Sequence, residues 1–210
     1  MITTALLGGS FNPAHRGHRF ISINLARALE LDEVWWLVSP GNPLKADAKD
    51  MAPLPVRVRS AQAAARRSRI RPTAIEQQFG TRYTFETLKR IVRLYPNRRF
   101  IWVMGGDNLG QFHLWRDWRK IAALMPIAVI DRPSYGASAR ASRAMGWFRH
   151  FVHAEASSRL WTEWRPPALV LLRFRPDKTS ATALRRANPD WQHSFSPKRL
   201  RDPVTRRIIY

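Results

Sequence analysis

The amino-acid sequence predicts an α/β protein, a Rossmann-like doubly wound parallel sheet with helices on both faces. Short apolar runs alternate with segments of helical spacing, which is the order of strand–helix–strand units. The run Glu33–Val38 is apolar almost throughout, as expected of a strand covered on both faces. Glycines follow the apolar runs Ala5–Leu7 and Phe100–Met104, at the sheet edge where ligands bind in such folds.

The first strand–helix–strand unit is predicted from residues 3–7, 16–29 and 33–38, joined by a right-handed crossover. The loop Ser39–Lys45 follows, because proline and glycine break the pattern there. Farther on, Thr84 is the predicted N-cap of a helix.

The other predicted elements are helices at 55–67, 138–152 and 179–185, strands at 70–75, 100–104, 126–131 and 168–172, and a closing helix from Pro203 to Tyr210. Residues 153–167 show no clear pattern. No repeat, long linker or low-complexity tract is present, so we predict one domain over residues 1–210, with 177–210 as its C-terminal helical part.

Basic residues outnumber acidic ones by 36 to 15, giving a formal net charge of +21. Such an excess is typical of proteins that bind nucleic acid or anionic membranes. The arginines are scattered, however, and no lysine-rich tail, zinc-finger or RNA-recognition signature accompanies them. We interpret the charge as a general basic background, part of which steers an anionic substrate, and expect no specific nucleic-acid partner.

Cysteine is absent, which excludes disulfides and thiolate catalysis and agrees with a reducing compartment. The sequence shows no signal peptide and no transmembrane run. We therefore expect a cytoplasmic protein with no membrane partner.

The loop after the first strand reads G-G-S-F-N-P-A-H-R-G-H over residues 8–18. Glycine allows a sharp turn and a close approach to a ligand, and the N–H groups at a helix start suit phosphate. His15 and His18 are three residues apart, so both imidazoles can point at one ligand.

A second helix start, at residues 178–185, carries hydroxyls followed by an arginine. Ser180 or Thr182 can simply cap the helix, and Arg185 can simply be solvated. Together with free N–H groups, however, these side chains also make a second phosphate cradle.

Three other positions have both a structural and a functional interpretation. Lys45 is either a solvated loop lysine or a residue that contacts phosphate. Asp107 follows two glycines at a strand end, and Trp115 is either a core residue or a stacking platform. Carboxylates are scarce, so a protein metal cage is disfavoured and no metal-ligating residue is assigned. The P-loop, G-x-G-x-x-G, H-E-x-x-H and G-x-S-x-G patterns are absent, which leaves charge stabilisation of phosphoryl or nucleotidyl transfer.

The two phosphate motifs, G-G-S-F-N-P-A-H-R-G-H and T-S-A-T-A-L-R, resemble the H-x-G-H and I-S-S-T-x-x-R motifs of a nucleotidyltransferase superfamily. Within it, the chain is similar to the bacterial nicotinate-nucleotide adenylyltransferases. The resemblance runs nearly end to end and includes Asn42–Lys45, Tyr83-Thr84, Gly105–Asp107, Trp115 and Arg132-Pro133. It implies that nicotinate mononucleotide attacks the α-phosphorus of ATP, forming nicotinate adenine dinucleotide and pyrophosphate.

The resemblance also implies roles for individual residues. The catalytic residues would be His15, His18, Lys45 and Arg185. The residues that bind ATP and its phosphates would be Gly8, Gly9, Ser10, Phe11, Gly105, Asp107, Ser180 and Thr182. The nicotinate nucleotide would be bound by Tyr83, Thr84 and Trp115. Mg²⁺ would be carried mainly by the ATP phosphates.

Two residues depart from the family's pattern. Asn12 stands where many members have Asp, and Ala181 removes one hydroxyl from the second motif; both changes are compatible with phosphate binding. The alternatives are a nicotinamide mononucleotide or phosphopantetheine adenylyltransferase or, in another class, a basic nucleic-acid-binding protein. A monomer or small homo-oligomer is expected.

Overall fold

The computed structural model describes residues 1–41, 50–131, 140–174, 177, 179–195 and 200–209. Lys45 and the pair Arg132-Pro133 lie outside these residues. A seven-stranded sheet forms the centre, in the order β3-β2-β1-β4-β5-β7-β6, and every neighbouring pair is parallel. The predicted doubly wound parallel sheet is therefore confirmed.

The strands of this sheet are β1 (Ile2–Gly9), β2 (Glu33–Val38), β3 (Ile70–Thr73), β4 (Arg98–Gly105), β5 (Ile127–Asp131), β6 (Val152–His153) and β7 (Leu169–Arg173). The α-helices are α1 (Arg16–Ala28), α2 (Leu54–Ala64), α3 (Ile75–Phe79), α4 (Thr84–Leu94), α5 (Gly106–Gln111), α6 (Trp118–Leu124), α7 (Arg143–Phe148) and α8 (Ala181–Ala187). In the described residues, 3-10 helices cover Phe112–Leu114, Glu155–Glu163 and Trp191–Phe195, and a separate antiparallel pair is made by β8 (Leu200–Arg201) and β9 (Ile208–Ile209).

Both faces of the sheet are covered, because neighbouring residues of β2 belong to different cores. Trp36 is fully buried among residues of α1 and α2, such as Leu25 and Val58. Trp35 is buried on the opposite face with Leu88 of α4. This arrangement explains why β2 is apolar at successive positions rather than at alternate ones.

The order of the strands creates the site. From β1 the chain winds outward through β2 to β3, then returns to β4 beside β1 and winds the other way through β5. The loops that follow β1 and β4 therefore diverge, which opens a crevice at the carboxyl ends of these two strands. The predicted Gly8–His18 loop and Asp107 both lie at this edge.

Several element boundaries differ from those predicted. Tyr83, not Thr84, occupies the N-cap of α4. Of the predicted helix over 138–152, residues 138 and 139 lie outside the described residues, and the helix is interrupted at residues 141 and 142. It begins again as Arg143–Phe148, because the Ser142 hydroxyl accepts a hydrogen bond from the N–H of Met145 and caps the helix there. Residues 153–167, which showed no pattern, contain the 3-10 helix Glu155–Glu163.

The predicted closing helix over Pro203–Tyr210 is wrong. The Asp202 carboxylate accepts hydrogen bonds from the N–H groups of Val204 and Thr205, at 2.9 and 3.1 Å, which fixes a turn. Arg206 then adopts a left-handed backbone with φ of 64°. The chain reverses and β9 pairs with β8, so helical structure after residue 177 is confined, in the described part, to α8 and the 3-10 helix Trp191–Phe195.

Candidate active site

The two motif histidines form a reciprocal cap at the start of α1. The Nδ1 atom of His15 accepts a hydrogen bond from the N–H of Gly17 at 3.1 Å, and the Nδ1 atom of His18 accepts one from the N–H of His15 at 3.2 Å. The two ring centroids are 3.9 Å apart. The sequence prediction that both imidazoles lie on one side of this helix start is confirmed.

This cap determines which nitrogen of each ring carries a proton. A nitrogen that accepts a hydrogen bond has no proton, so the neutral forms of His15 and His18 carry theirs on Nε2. Each imidazole is thus suited to donate a hydrogen bond from Nε2 to a phosphate oxygen.

The loop after β1 is held by an aromatic anchor. Phe11 has φ of 47°, a left-handed backbone that a bulky residue rarely adopts. Its ring is buried, is stacked on Trp36 with 4.9 Å between centroids, and lies the same distance from the ring of His18. The side chain of Phe11 is therefore core, and only its backbone can serve the ligand role that the family resemblance implies.

Gly8 and Gly9 are required by contacts inside the protein. A Cβ at Gly8 would lie 2.9 Å from the indole of Trp102, and one at Gly9 would lie 3.1 Å from the ring of Phe11. Larger residues would push the loop away from β4 and from its anchor. Ser10 is exposed at the same turn.

The second helix start is confirmed beside the first. Ser180 is the N-cap of α8, and its hydroxyl accepts a hydrogen bond from the N–H of Ala183 at 3.1 Å. A Cβ on Gly17, in the first turn of α1, would lie 3.2 Å from the carbonyl oxygen of Thr179. The ion pair between Arg16 and Asp177 also joins the two starts, with 3.5 Å between nitrogen and oxygen.

Arg185 connects α8 to the loop after β1. Its Nη1 donates to the carbonyl oxygen of Asn12 at 2.7 Å, and its Nε lies 2.9 Å from a carboxylate oxygen of Asp50. The side chain amide of Asn12 in turn bonds to the backbone of Asp50 and Ala52. The amide of Asn12 thus holds residues 50–52 beside the loop, with its NH₂ group as donor and its oxygen as acceptor. Thr182 is exposed on the first turn of α8.

Asp107 lies at the carboxyl end of β4, in the first turn of α5, and is exposed. Its carboxylate folds back so closely over Gly105 that a Cβ there would collide with it. Since β4 is paired to β1 along its length, this carboxylate lies on the same sheet edge as the Gly8–His18 loop.

The residues predicted to bind the nicotinate nucleotide lie next to one another. Tyr83 is the N-cap of α4. Its side chain accepts no hydrogen bond from the N–H groups at the start of this helix. Arg116 lies over the ring of Tyr83, with 4.5 Å from the guanidinium carbon to the ring centroid. Trp115, the preceding residue, is half-buried against Phe112 and Trp102.

Trp102 relates these residues to the phosphate loop. It contacts Trp115, with 6.4 Å between ring centroids, and it is the side chain that would meet a Cβ on Gly8. Thr84 follows Tyr83 as the first residue of α4. The two predicted subsites are therefore joined through one buried indole.

Arg57 is an important residue that the sequence interpretation treated only as background charge. Its side chain is buried and donates to four carbonyl oxygens, of Ser10, Ser39, Pro40 and Ala52, at 2.6 to 3.2 Å. Burial lowers the pKa of Arg57 to about 10, which leaves it charged at neutral pH. It ties together the chain segments that leave β1 and β2 and places a buried positive charge beneath the crevice. Arg116 was missed as well; its position directly after Trp115 was the available signal.

Comparison with known proteins identifies the chain. The cytidylyltransferase-like family model matches residues 6–187. A probable nicotinate-nucleotide adenylyltransferase from Erythrobacter litoralis is 56% identical over 209 residues, covering 100% of this chain and 95% of the relative. The chain belongs to the nicotinate-nucleotide adenylyltransferase family. A probable nicotinate-nucleotide adenylyltransferase from Brucella abortus is 43% identical over 185 residues, covering 88% of this chain and 95% of the relative.

Solved nicotinate-nucleotide adenylyltransferases show the same fold. The Plasmodium falciparum nicotinic acid mononucleotide adenylyltransferase complexed with NaAD superimposes with a TM-score of 0.64 at 16% identity, covering 89% of this chain and 83% of that one. As a member of the family, the chain is a nucleotidyltransferase. Within the described residues, no helix is long and apolar enough to cross a membrane, and no group of three or more His, Cys, Asp and Glu side chains is arranged to hold a metal ion.

Proposed function

We propose that the protein transfers the adenylyl group of ATP to nicotinate mononucleotide, giving nicotinate adenine dinucleotide and pyrophosphate in NAD biosynthesis. One observation carries the proposal: the His15–His18 cap at α1 and the Ser180 start of α8 lie side by side, joined by the bond from Arg185 to Asn12. Two helix starts facing one crevice suit a polyphosphate better than a single phosphate.

In the proposed reaction, a phosphate oxygen of the mononucleotide attacks the α-phosphorus of ATP. The bond from that phosphorus to the oxygen bridging the α- and β-phosphates breaks, and pyrophosphate leaves with the electron pair. The nucleophile is already an anion, so no general base is required. The protein's contribution is to position the two substrates and to stabilise the charge that develops on the phosphates.

His15 and His18 would donate from Nε2 to the phosphates of ATP, and the free N–H groups at the start of α8 would hold the leaving pyrophosphate. Asp107 would bind ribose hydroxyls. The proposal keeps Lys45 as a basic residue that contacts the substrates. Mg²⁺ would be held by the ATP phosphates and would supply further charge neutralisation.

At the pyridine end, Tyr83 and Thr84 would present backbone N–H groups to the nicotinate carboxylate. Trp115 would lie against the pyridine ring. Arg116 adds a positive charge directly beside this position, which suits an acid better than an amide. The proposal places the reaction in the cytoplasm, in keeping with a chain that has no cysteine.

The test is release of pyrophosphate from ATP in the presence of one acceptor at a time. We expect turnover with nicotinate mononucleotide and much slower turnover with nicotinamide mononucleotide or phosphopantetheine. Turnover with phosphopantetheine alone, or no release with any mononucleotide, would overturn the proposal.

A further inference from the structure

A cavity of about 530 Å³ lies at the other end of α1 from the phosphate crevice. Its walls are the flank of α1, the first residues of β2 and β3, and the turn between α2 and β3. Its charged lining residues are Arg19, Arg27, Glu30, Arg67 and Arg69. Since β2 and β3 contribute their amino ends, most of this cavity lies toward the amino-end edge of the sheet, whereas the phosphate crevice lies at the carboxyl-end edge.

Four arginines and one glutamate line the cavity, so its charge is strongly positive. Two of the arginines are held in place by backbone carbonyls. Arg19 donates through Nη1 to Ala64 and Arg66 at 2.9 and 2.8 Å, and Arg69 donates through Nη1 to Leu31 at 3.0 Å. Their remaining N–H groups need no rearrangement before binding an anion, which reduces the entropic cost of binding.

The rim of the cavity is shaped by two residues with unusual backbone angles. Arg67 has φ of 52° and Glu30 has φ of 51°, and both are non-glycine residues in the left-handed region. Both angles belong to helix ends: Glu30 follows the C-cap of α1, where the N–H of Leu31 donates to the carbonyl oxygen of Ala26 at 2.9 Å, and Arg67 lies in the turn that follows α2. The Glu30 carboxylate is also paired with Arg159 at 3.4 Å, which weakens its repulsion of an anion.

The floor between the arginines is apolar, made by Ile23, Ala26, Val34 and Ile70. The cavity thus combines an apolar floor with charged walls, an arrangement that is common at small-molecule sites. Guanidinium groups recognise phosphate through paired hydrogen bonds, while the apolar floor fits a flat ring.

We propose that this cavity, named here the arginine cavity, is a second ligand site that binds a phosphorylated compound of mononucleotide size carrying a flat ring. The inference is independent of the reaction proposed above, because none of the lining residues takes part in it. A ligand there would touch α1 along its middle turns. Ser22, on the cavity wall, donates to the carbonyl oxygen of His18 at 2.9 Å and accepts from the indole nitrogen of Trp36 at 2.7 Å, so the two sites share a hydrogen-bonded connection.

The test is an NMR titration of the full chain with ADP as the probe, at a fixed salt concentration near 0.15 M. Amide shifts report where ADP binds. We expect two separate groups of moving signals, one from residues 8–18 and one from residues 26–30 and 67–70, with different concentration dependence. Absence of the second group in the wild-type protein would overturn the proposal.

The double variant Arg27→Gln/Arg67→Gln removes two exposed cavity arginines. We expect the apparent Kd at the arginine cavity to rise at least about tenfold, with the first group of shifts unchanged. The matched control is Arg93→Gln/Arg99→Gln, which lowers the net charge equally at exposed positions elsewhere. Equal weakening in both double variants would identify nonspecific attraction to a basic protein and would also overturn the proposal.

Discussion

His18 has two separable roles at the residue scale, as a helix cap and as a phosphate donor. His18→Gln keeps a side chain suited to the third helical position of a capping box. We expect kcat/KM to fall about 10²–10³-fold, with Tm changed by no more than about 2 °C. His18→Ala should lose both turnover and thermal stability. Steady-state pyrophosphate release and thermal unfolding check the two effects, and wild-type turnover in the Gln variant would contradict the assigned role.

Arg116 is expected to contribute to the choice between an acid and an amide substrate. Arg116→Gln should lower the ratio of kcat/KM for nicotinate mononucleotide to that for nicotinamide mononucleotide by about threefold to tenfold. Arg119→Gln is the control, since Arg119 is also exposed but lies over Trp118 instead. If both substrates lose activity equally in the Arg116 variant, the residue only holds Tyr83 in place.

Arg57 stabilises the fold because four carbonyl oxygens depend on its buried guanidinium. Replacement by Met leaves these acceptors without a donor, so we expect Arg57→Met to lower the free energy of unfolding by about 2–4 kcal/mol. Arg59→Met, on the exposed face of the same helix, should change it by no more than about 0.5 kcal/mol. Urea unfolding measures both, and similar losses in the two variants would be inconsistent with this role.

The contacts of Arg57 also explain why sequence reasoning missed it. Arg57 bonds to residues up to 47 positions away, and nothing in its local sequence separates it from the solvated Arg59. By contrast, the Gly8–His18 and Thr179–Arg185 segments were found because their chemistry is local: glycines, hydroxyls and imidazoles at fixed spacing around a helix start.

At the scale of elements, the short helix α3 carries an acid with an unusual ionisation. Burial raises the pKa of Glu76 to about 7, against a hydrogen bond from Ser39 that lowers it. The folded protein therefore holds a proton that the unfolded chain releases near pH 4.5. The contribution of Glu76 to stability is fully present below pH 4.5, declines as pH rises to about 7, and is constant at its lowest value above that pH.

Glutamine carries no charge at either pH. We therefore expect the change in the free energy of unfolding caused by Glu76→Gln to be about 1–3 kcal/mol more favourable at pH 8 than at pH 4.5. Thermal or urea unfolding at the two pH values measures the difference. Glu86→Gln is the control, because Glu86 occupies the first turn of α4 but is exposed. An identical effect of Glu76→Gln at both pH values would rule out the raised pKa.

Element types were predictable wherever a buried run spans successive positions, as in Glu33–Val38. They were not predictable where a contact between residues far apart in the sequence determines the local conformation. The turn after β8 depends on Asp202, whose carboxylate accepts from Thr73 and from the N–H of Ala74, both at 2.8 Å. Apolar periodicity contains no record of such a bond, so the segment Pro203–Tyr210 was taken for a helix.

For the whole molecule, the net charge of +21 should act on the rate at which anionic substrates arrive. Long-range attraction is screened by salt, so we expect kcat/KM for ATP to fall by about tenfold between 0.05 and 0.5 M NaCl. The value of kcat at saturating substrate should change little over the same range. Equal kcat/KM at both salt concentrations would show that the charge has no steering effect.

The Asp202 contact has a consequence for synthesis on the ribosome. Both helix starts that flank the phosphate crevice have been made once residue 187 is complete. The edge strand β3 is completed later, however. The buried donors of Thr73 and Ala74 bond to the carboxylate of Asp202, which is synthesised 128 or more residues after them. Because a segment can pack only after it has left the exit tunnel, the carboxyl end of β3 is completed only after residue 202 has emerged. Chains that stall before residue 202 emerges should carry a β3 whose carboxyl end lacks the hydrogen bonds to Asp202.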